Sequence, residues 1–380
     1  MYSSNVRSLL LLAAIALGTA ALGAAPPVTF VEHEIGTGLK GGYQLVAADL
    51  NRDGKPDLIA LASGLDELVW YENPGWQRHV ITKGLVQMIN LAVLNNDTIL
   101  LADRFTNNPP KSEGRVYVMH APADPRNEWS RKEIDRLPTS HRFRAAKFRQ
   151  GAAVINAALA DPKSTQPDYV GHIPLVMYRP PDWKRELITD AEEGVMHGIF
   201  VKDVNGDGFD ELFTASFLGI HQYTQRKDLT WARKRIGTGE PIQWPPFTNK
   251  GPGSSDVALS KQVTVAIEPW HGNIVAVYEK GKRRVLDSSL KEGHSVEIAD
   301  FNGDGKEEFI IGDRGRMPSG PAQGGVYLFH KERDWVKSTI EGVTMAAASC
   351  VALDLNADGR IDVACIGSAT ANLKWYENKK

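Results

Sequence analysis

The sequence predicts an all-β fold: a seven-bladed β-propeller of four-stranded antiparallel blades, with the N-terminal strand closing the last blade. Three observations predict it. An acidic phrase recurs four times, at 49–57, 203–211, 300–308 and 354–362. A second phrase, Trp-Tyr-Glu-Asn, stands at 70–73 and again at 375–378. Trp-led segments ending in a branched residue return roughly every 50 residues, at 76–81, 129–134, 183–188, 231–236 and 335–340, which is the period of propeller blades.

Each unit reads as four short strands separated by turn residues. In the first these are 43–48, 58–61, 67–71 and 76–81. Further units open near Met88, His141, His197, Ser255, His294 and Ala348, giving seven; those near Met88, His141 and Ser255 lack the acidic phrase. The last unit stops after its third strand, and 30–35 is an outer strand with no unit before it. The N-terminal strand therefore completes the last blade, which leaves only short, protected edges.

Composition agrees. The chain has 380 residues, 44 Lys and Arg against 46 Asp and Glu, and a net charge of -2, which excludes a nucleic-acid-coating protein. Its 35 glycines and 21 prolines imply many short elements. Two cysteines exclude a disulfide-stapled scaffold and a multi-cysteine zinc protein. Cys350 and Cys365 fall on neighbouring strands, and the sequence leaves a bridge and two buried thiols equally open.

Residues 1–25 read as a secretory signal peptide: Arg7, an apolar run at 9–17 too short to span a bilayer, then small residues at 18–25. Residues 26–380 are then the propeller of a secreted or periplasmic protein that is not membrane-embedded.

The acidic phrase, Asp-x-Asn-x-Asp-Gly-x-x-Asp or -Glu, places oxygen side chains at alternate positions of a tight loop. A hard cation with many oxygen ligands suits it, calcium best. The expected structural calcium ligands are Asp49, Asn51, Asp53 and Asp57; Asp203, Asn205, Asp207 and Glu211; Asp300, Asn302, Asp304 and Glu308; and Asp354, Asn356, Asp358 and Asp362, for up to four ions.

These loops and the Trp-Tyr-Glu-Asn strands resemble the FG-GAP/VCBS repeat family over essentially all of the mature chain. The resemblance implies a secreted propeller with calcium in such loops. The family includes adhesion modules, lectin-like proteins, and the propeller portions of aldos-2-ulose-dehydratase-like and polysaccharide-lyase-like proteins.

The acidic loops lie on one face of the disc. The opposite face carries the insertions 105–114, 161–171, 237–255 and 314–325, and long loops on a rigid scaffold commonly bind ligands. That face also receives the first residue of each inner strand. Six positions before each acidic loop stand Tyr43, His197, His294 and Ala348, and the third unit gives His141 by the same register. Three histidines thus point to one mouth of the channel, as acid/base groups or as ligands of an additional divalent metal. Asp103, Arg104, Arg314 and Arg316 follow equivalent second strands, and Arg holds planar anions in a fork. Trp244, in the longest insertion, is a candidate platform for a sugar ring. The expected function is carbohydrate handling at this mouth by β-elimination or dehydration, with no nucleic-acid partner. The competing class is a non-catalytic propeller binding a glycan or protein.

Overall fold

The computed structural model describes residues 28–166, 169–241, 253–315 and 324–380. The leader at 1–25, Trp244 and Arg316 lie outside these residues. Seven four-stranded antiparallel sheets form the ring, and no α-helix occurs among the described residues. Six sheets are built from consecutive strands, such as β2 (Gly42–Ala48) through β5 (Gln77–Lys83). The seventh orders β26 (Ala347–Leu353), β27 (Asp362–Gly367) and β28 (Leu373–Asn378), and then β1 (Phe30–Gly36). The first strand of the chain therefore closes the last blade. Among the described residues no helix is long and apolar enough to cross a membrane.

Burial follows position in the blade. Second strands such as β3 (Asp57–Ala62) and β23 (Glu308–Asp313) are buried at every residue, because both faces pack on neighbouring blades. Outer strands are half-buried or exposed at most positions, as in β17 (Trp231–Gly237). Inner strands run from buried at their start to half-buried near the acidic loops, as in β14 (Met196–Lys202) and β22 (Gly293–Ala299). The axial channel is therefore closed at the insertion face and opens on the acidic-loop face.

Polar side chains on the inner strands stitch blade to blade. Gln44 donates to the carbonyl of Leu91 at 2.9 Å and accepts from its N–H at 2.7 Å. Asn90 accepts from the N–H of Phe143, and Ser295 from that of Cys350. Arg142 Nε donates to the carbonyl of His197 at 2.8 Å.

The Trp-Tyr-Glu-Asn phrase does the same work on the acidic-loop face. Asn73 Nδ2 donates to the carbonyls of Pro56 and, in the last blade, Leu355. Asn378 Nδ2 donates to those of Ile361 and, one blade back, Phe301. Glu72 and Glu377 accept from Asn51 and Asn356, which pins the two acidic loops. Cys350 and Cys365 sit directly opposite each other and are bridged.

Candidate functional site

The site is made by a repeated irregularity. In five inner strands the ladder slips by one residue at the same place, across Tyr43, His141, His197, His294 and Ala348. A bulge leaves its extra residue out of the ladder and re-aims its side chain. Here the extra residues turn to the axis. Tyr43 Oη lies 2.7 Å from His141 Nε2. The rings of His141 and His197 are 4.8 Å apart, and those of His197 and His294 are 5.0 Å apart. Tyr43 packs edge-on to His294 at 5.2 Å.

A further histidine completes the cluster. His271 follows β19 (Thr264–Glu268) in a turn outside the inner-strand register, so aligning the acidic loops does not reveal it. Its Nε2 is 2.9 Å from His197 Nε2. The ligand atoms of His197, His271 and His294 all lie within 4.8 Å of one another.

The second nitrogen of each is already engaged. His197 Nδ1 faces the carbonyl of Ser255 at 3.1 Å, and His294 Nδ1 that of Ala348 at 2.6 Å. His271 Nδ1 faces Glu292 Oε1 at 3.0 Å. Each acceptor calls for hydrogen on Nδ1, which leaves Nε2 with its lone pair; Arg142 stands 3.4 Å from that of His197 and Arg314 3.3 Å from that of His294. Two such lone pairs meeting at 2.9 Å repel unless a cation or proton lies between them. Burial, followed by the nearby Arg142, holds His197 well below the usual histidine range. Burial and then Arg314 do the same to His294 and bring His271 down to about 4. Neutral imidazoles with fixed tautomers are the form that binds a divalent metal, so the residues fit such an ion.

Glycine is required beside the cluster. A Cβ at Gly198 would stand 2.7 Å from the Ser255 carbonyl oxygen, the partner of His197, and 2.8 Å from Asp256 Oδ1.

Arg314 lies over the cluster, 3.3 Å from both His294 Nε2 and His271 Nδ1, and it pairs with Glu292. Burial would raise the Glu292 carboxyl, but hydrogen bonding to His271 and the Arg314 charge win and hold it at about 2. A cavity of about 320 Å³ is lined by Tyr43, His141, His197, His271 and Arg314, and also by Phe105, Asn107 and Trp270. His141 Nδ1 and Trp270 Nε1 are buried at this site with no hydrogen-bond partner among the described residues. Burial, then Arg142, keeps His141 neutral too.

The other sequence candidates separate from this group. Arg104 turns to Glu113 in its own loop, 3.5 Å away. Asp103 is buried and accepts the N–H of Val86. Of the arginine candidates within the described residues, Arg314 alone reaches the histidines.

In the acidic loops the first three side chains converge. Asp49 accepts the N–H groups of Asp53 and Gly54, Asn51 that of Asp53, and Asp53 that of Lys55. Asp354, Asn356 and Asp358 repeat this pattern. In the other two loops Asp203 and Asp300 likewise accept the loop N–H groups, including those of Gly208 and Gly305. Asn205 and Asn302 accept from Asp207 and Asp304, which in turn accept from Phe209 and Lys306. The fourth acidic residue instead braces the loop from below. Asp57 accepts from Leu50 and Asn73, and Asp362 from Leu355 and Asn378. Glu211 and Glu308 accept from Val204 and Phe301 and from the side chains of Asn205 and Asn302.

The fold and site define a β-propeller with a histidine-lined axial mouth. Solved propellers superpose on most of the chain: virginiamycin B lyase from Staphylococcus aureus (TM-score 0.55, 8% identity, 92% of this chain and 99% of that one) and the WD40 propeller domain of Doa1 (0.55, 12%, 92% and 98%). At such identities they establish the fold alone. Sequence comparison is more particular. Residues 113–281 match the family model of the aldos-2-ulose dehydratase β-propeller domain, and residues 300–365 match an FG-GAP-like repeat. The aldos-2-ulose dehydratase of Phanerodontia chrysosporium is 26% identical over 255 residues, covering 57% of this chain and 27% of that protein. The chain thus matches about a quarter of that relative's length.

Proposed function

We propose that this protein is an exported carbon–oxygen lyase of the dehydratase type, acting on a carbohydrate-derived carbonyl compound at the histidine-lined mouth. The observation that carries the reading is one cavity lined by His141, His197, His271, Tyr43 and Arg314, with the ligand atom of His294 within 4.8 Å of those of His197 and His271, in a chain whose residues 113–281 match the aldos-2-ulose dehydratase propeller.

Dehydration breaks a C–H bond beside a carbonyl and a C–O bond on the next carbon. His141 takes the C–H proton, and the electron pair of that bond forms the new C=C. Tyr43 gives its proton to the departing hydroxyl, which leaves as water. Transfer from His141 to Tyr43 across their 2.7 Å contact restores both. Arg314 faces the negative charge that develops on the carbonyl oxygen. His197, His271 and His294 would hold a divalent metal, which when bound supplies Lewis-acid polarisation of that carbonyl.

The test is a panel of keto-sugars and uronate oligosaccharides, watched for conjugated product. His141→Ala and His271→Ala are expected to lose the absorbance change by at least about a hundredfold while keeping the propeller's circular dichroism. A panel that yields no product with zinc- or magnesium-loaded protein, together with glycan binding that survives both substitutions, would place the protein in the non-catalytic class.

The four acidic loops are proposed as calcium sites with a structural role. Each converged carboxylate keeps lone pairs beyond those used by the loop N–H groups. Chelation should lower the melting temperature, and calcium should restore it; an unchanged melt sinks the assignment. Residues 1–25 are proposed as the export signal, checked by N-terminal sequencing of the mature protein.

A further inference from the structure

Behind the histidines lies a second cavity of about 340 Å³, the channel that opens on the acidic-loop face. Its polar lining includes Arg142, Arg144, Asp256 and Glu297. Arg144 and Glu297 each stand three residues past the bulge histidine of their strand, His141 and His294. They therefore sit at one depth, on blades three apart in a ring of seven, and face each other across the channel. Glu297 forms no direct ion pair or hydrogen bond among the described residues; its attraction to Arg144 acts across the gap. Asp256, on the blade between, is likewise drawn to Arg142 and Arg144 without a direct ion pair.

Charges withdrawn from bulk water need a partner or a polar filling. At roughly 30 Å³ per water the cavity holds about ten waters, or one small organic molecule. The walls are bipolar, with two guanidinium groups against two carboxyls. A neutral sugar matches neither charge, and a simple anion or cation satisfies one wall and repels the other.

We propose that this channel is a binding site for a small zwitterion, whose carboxylate pairs with Arg144 and whose ammonium pairs with Glu297. It is reached from the face of the disc opposite the mouth, and Tyr43 lines both cavities.

The proposal has a proton signature. Burial, against the opposing pull of Arg144, raises the empty Glu297 carboxyl to about 8. Other groups lining the channel are Arg142, Arg144, Asp256, Tyr43 and His294. At pH 7 Glu297 is then mostly protonated, and an arriving ammonium favours the carboxylate. Binding should release part of a proton.

The experiment is calorimetric titration of the full chain at pH 7 with glycine, β-alanine and 4-aminobutyrate, in two buffers of different ionisation enthalpy. One of the three is expected to bind saturably at one site, with a heat that differs between buffers. Acetate and methylamine alone should bind at least about tenfold more weakly, because each meets only one charge. Arg144→Gln and Glu297→Gln should each weaken binding by about tenfold or more, and Glu297→Gln should remove the proton release. The proposal is overturned if none of the three binds below about 10 mM. It is also overturned if acetate, methylamine or glucose binds as well as the zwitterions, or if both folded variants bind unchanged. Zinc uptake measured on the same samples keeps this separate from the lyase reading: protein that takes up zinc and turns over a keto-sugar but binds no zwitterion fails only here.

Discussion

At the residue scale, the histidine cluster depends on groups that never face the cavity. Glu292 orients His271 from Nδ1 and is itself held by Arg314 and by the geometry of its own loop. The Ser255 and Ala348 carbonyls do the same for His197 and His294. Removing such an orienting partner lets the ring turn and lets the proton move to the ligating nitrogen. Glu292→Gln should therefore weaken zinc binding by roughly 10- to 100-fold, read by chelator competition, with little change in the melting temperature of the metal-free protein. A variant that binds zinc as tightly as the parent would show that His271 is not a ligand. Tyr43, His197 and His294 are readable from the sequence because each precedes its acidic phrase by six positions, and His141 follows from the same register in a unit that lacks the phrase. His271 was not, since it lies in a turn whose length varies between blades, and Glu292 and Trp270 carried no repeat signal at all.

At the element scale, the repeated phrases are joints between blades as much as landmarks. The alternating apolar runs, the turns and the acidic loops announced the strands, because each is a local pattern. The bulges were not announced: nothing in the composition of 42–44 or 140–142 distinguishes a slipped ladder from a regular one, and only the pairing with the second strand reveals it. The role of Trp-Tyr-Glu-Asn was also hidden, because its asparagines reach carbonyls distant in sequence. Asn73 spans 282 residues to Leu355, and Asn378 spans 77 to Phe301. Both are almost fully buried. Asn73→Ala would leave two carbonyls unsatisfied and should cost about 1–3 kcal/mol for each uncompensated group, measured by urea unfolding. Asn378→Ala should behave alike, since it occupies the equivalent joint. A loss under about 0.5 kcal/mol for both, within the range of ordinary surface substitutions, would mean that water replaces the lost donors and that the joint is not stabilising.

At the scale of the whole molecule, closure decides whether the ring behaves as one cooperative body. The first strand and the last three make a single blade, so the chain's beginning holds its end. β1 pairs with β28 from Phe30 opposite Asn378 to Gly36 opposite Leu373. His33 stacks on Trp375 at 4.6 Å and bonds Glu377 at 2.9 Å, while Lys374 reaches Glu32 at 2.6 Å. Phe30 packs edge-on to Phe301 in the preceding blade. Removing residues through Gly36 would bare the outer edge of β28, including the ring of Trp375, and would release the strand that pins Asn378. At about 0.5–1.5 kcal/mol net for each ladder bond, the loss is several kcal/mol, a large share of the 5–15 kcal/mol typical of a folded domain. The shortened chain should therefore melt at a markedly lower temperature and over a broader range. A bared strand edge also accepts a strand supplied from outside. A synthetic peptide of residues 28–37 should raise the melting temperature of the shortened chain in a saturable way, while the same peptide with His33 and Phe30 replaced by Asp should do so far less. If the shortened chain melts within about 2 °C of the full one, the ring is held by blade-to-blade packing alone, and the closing strand is dispensable.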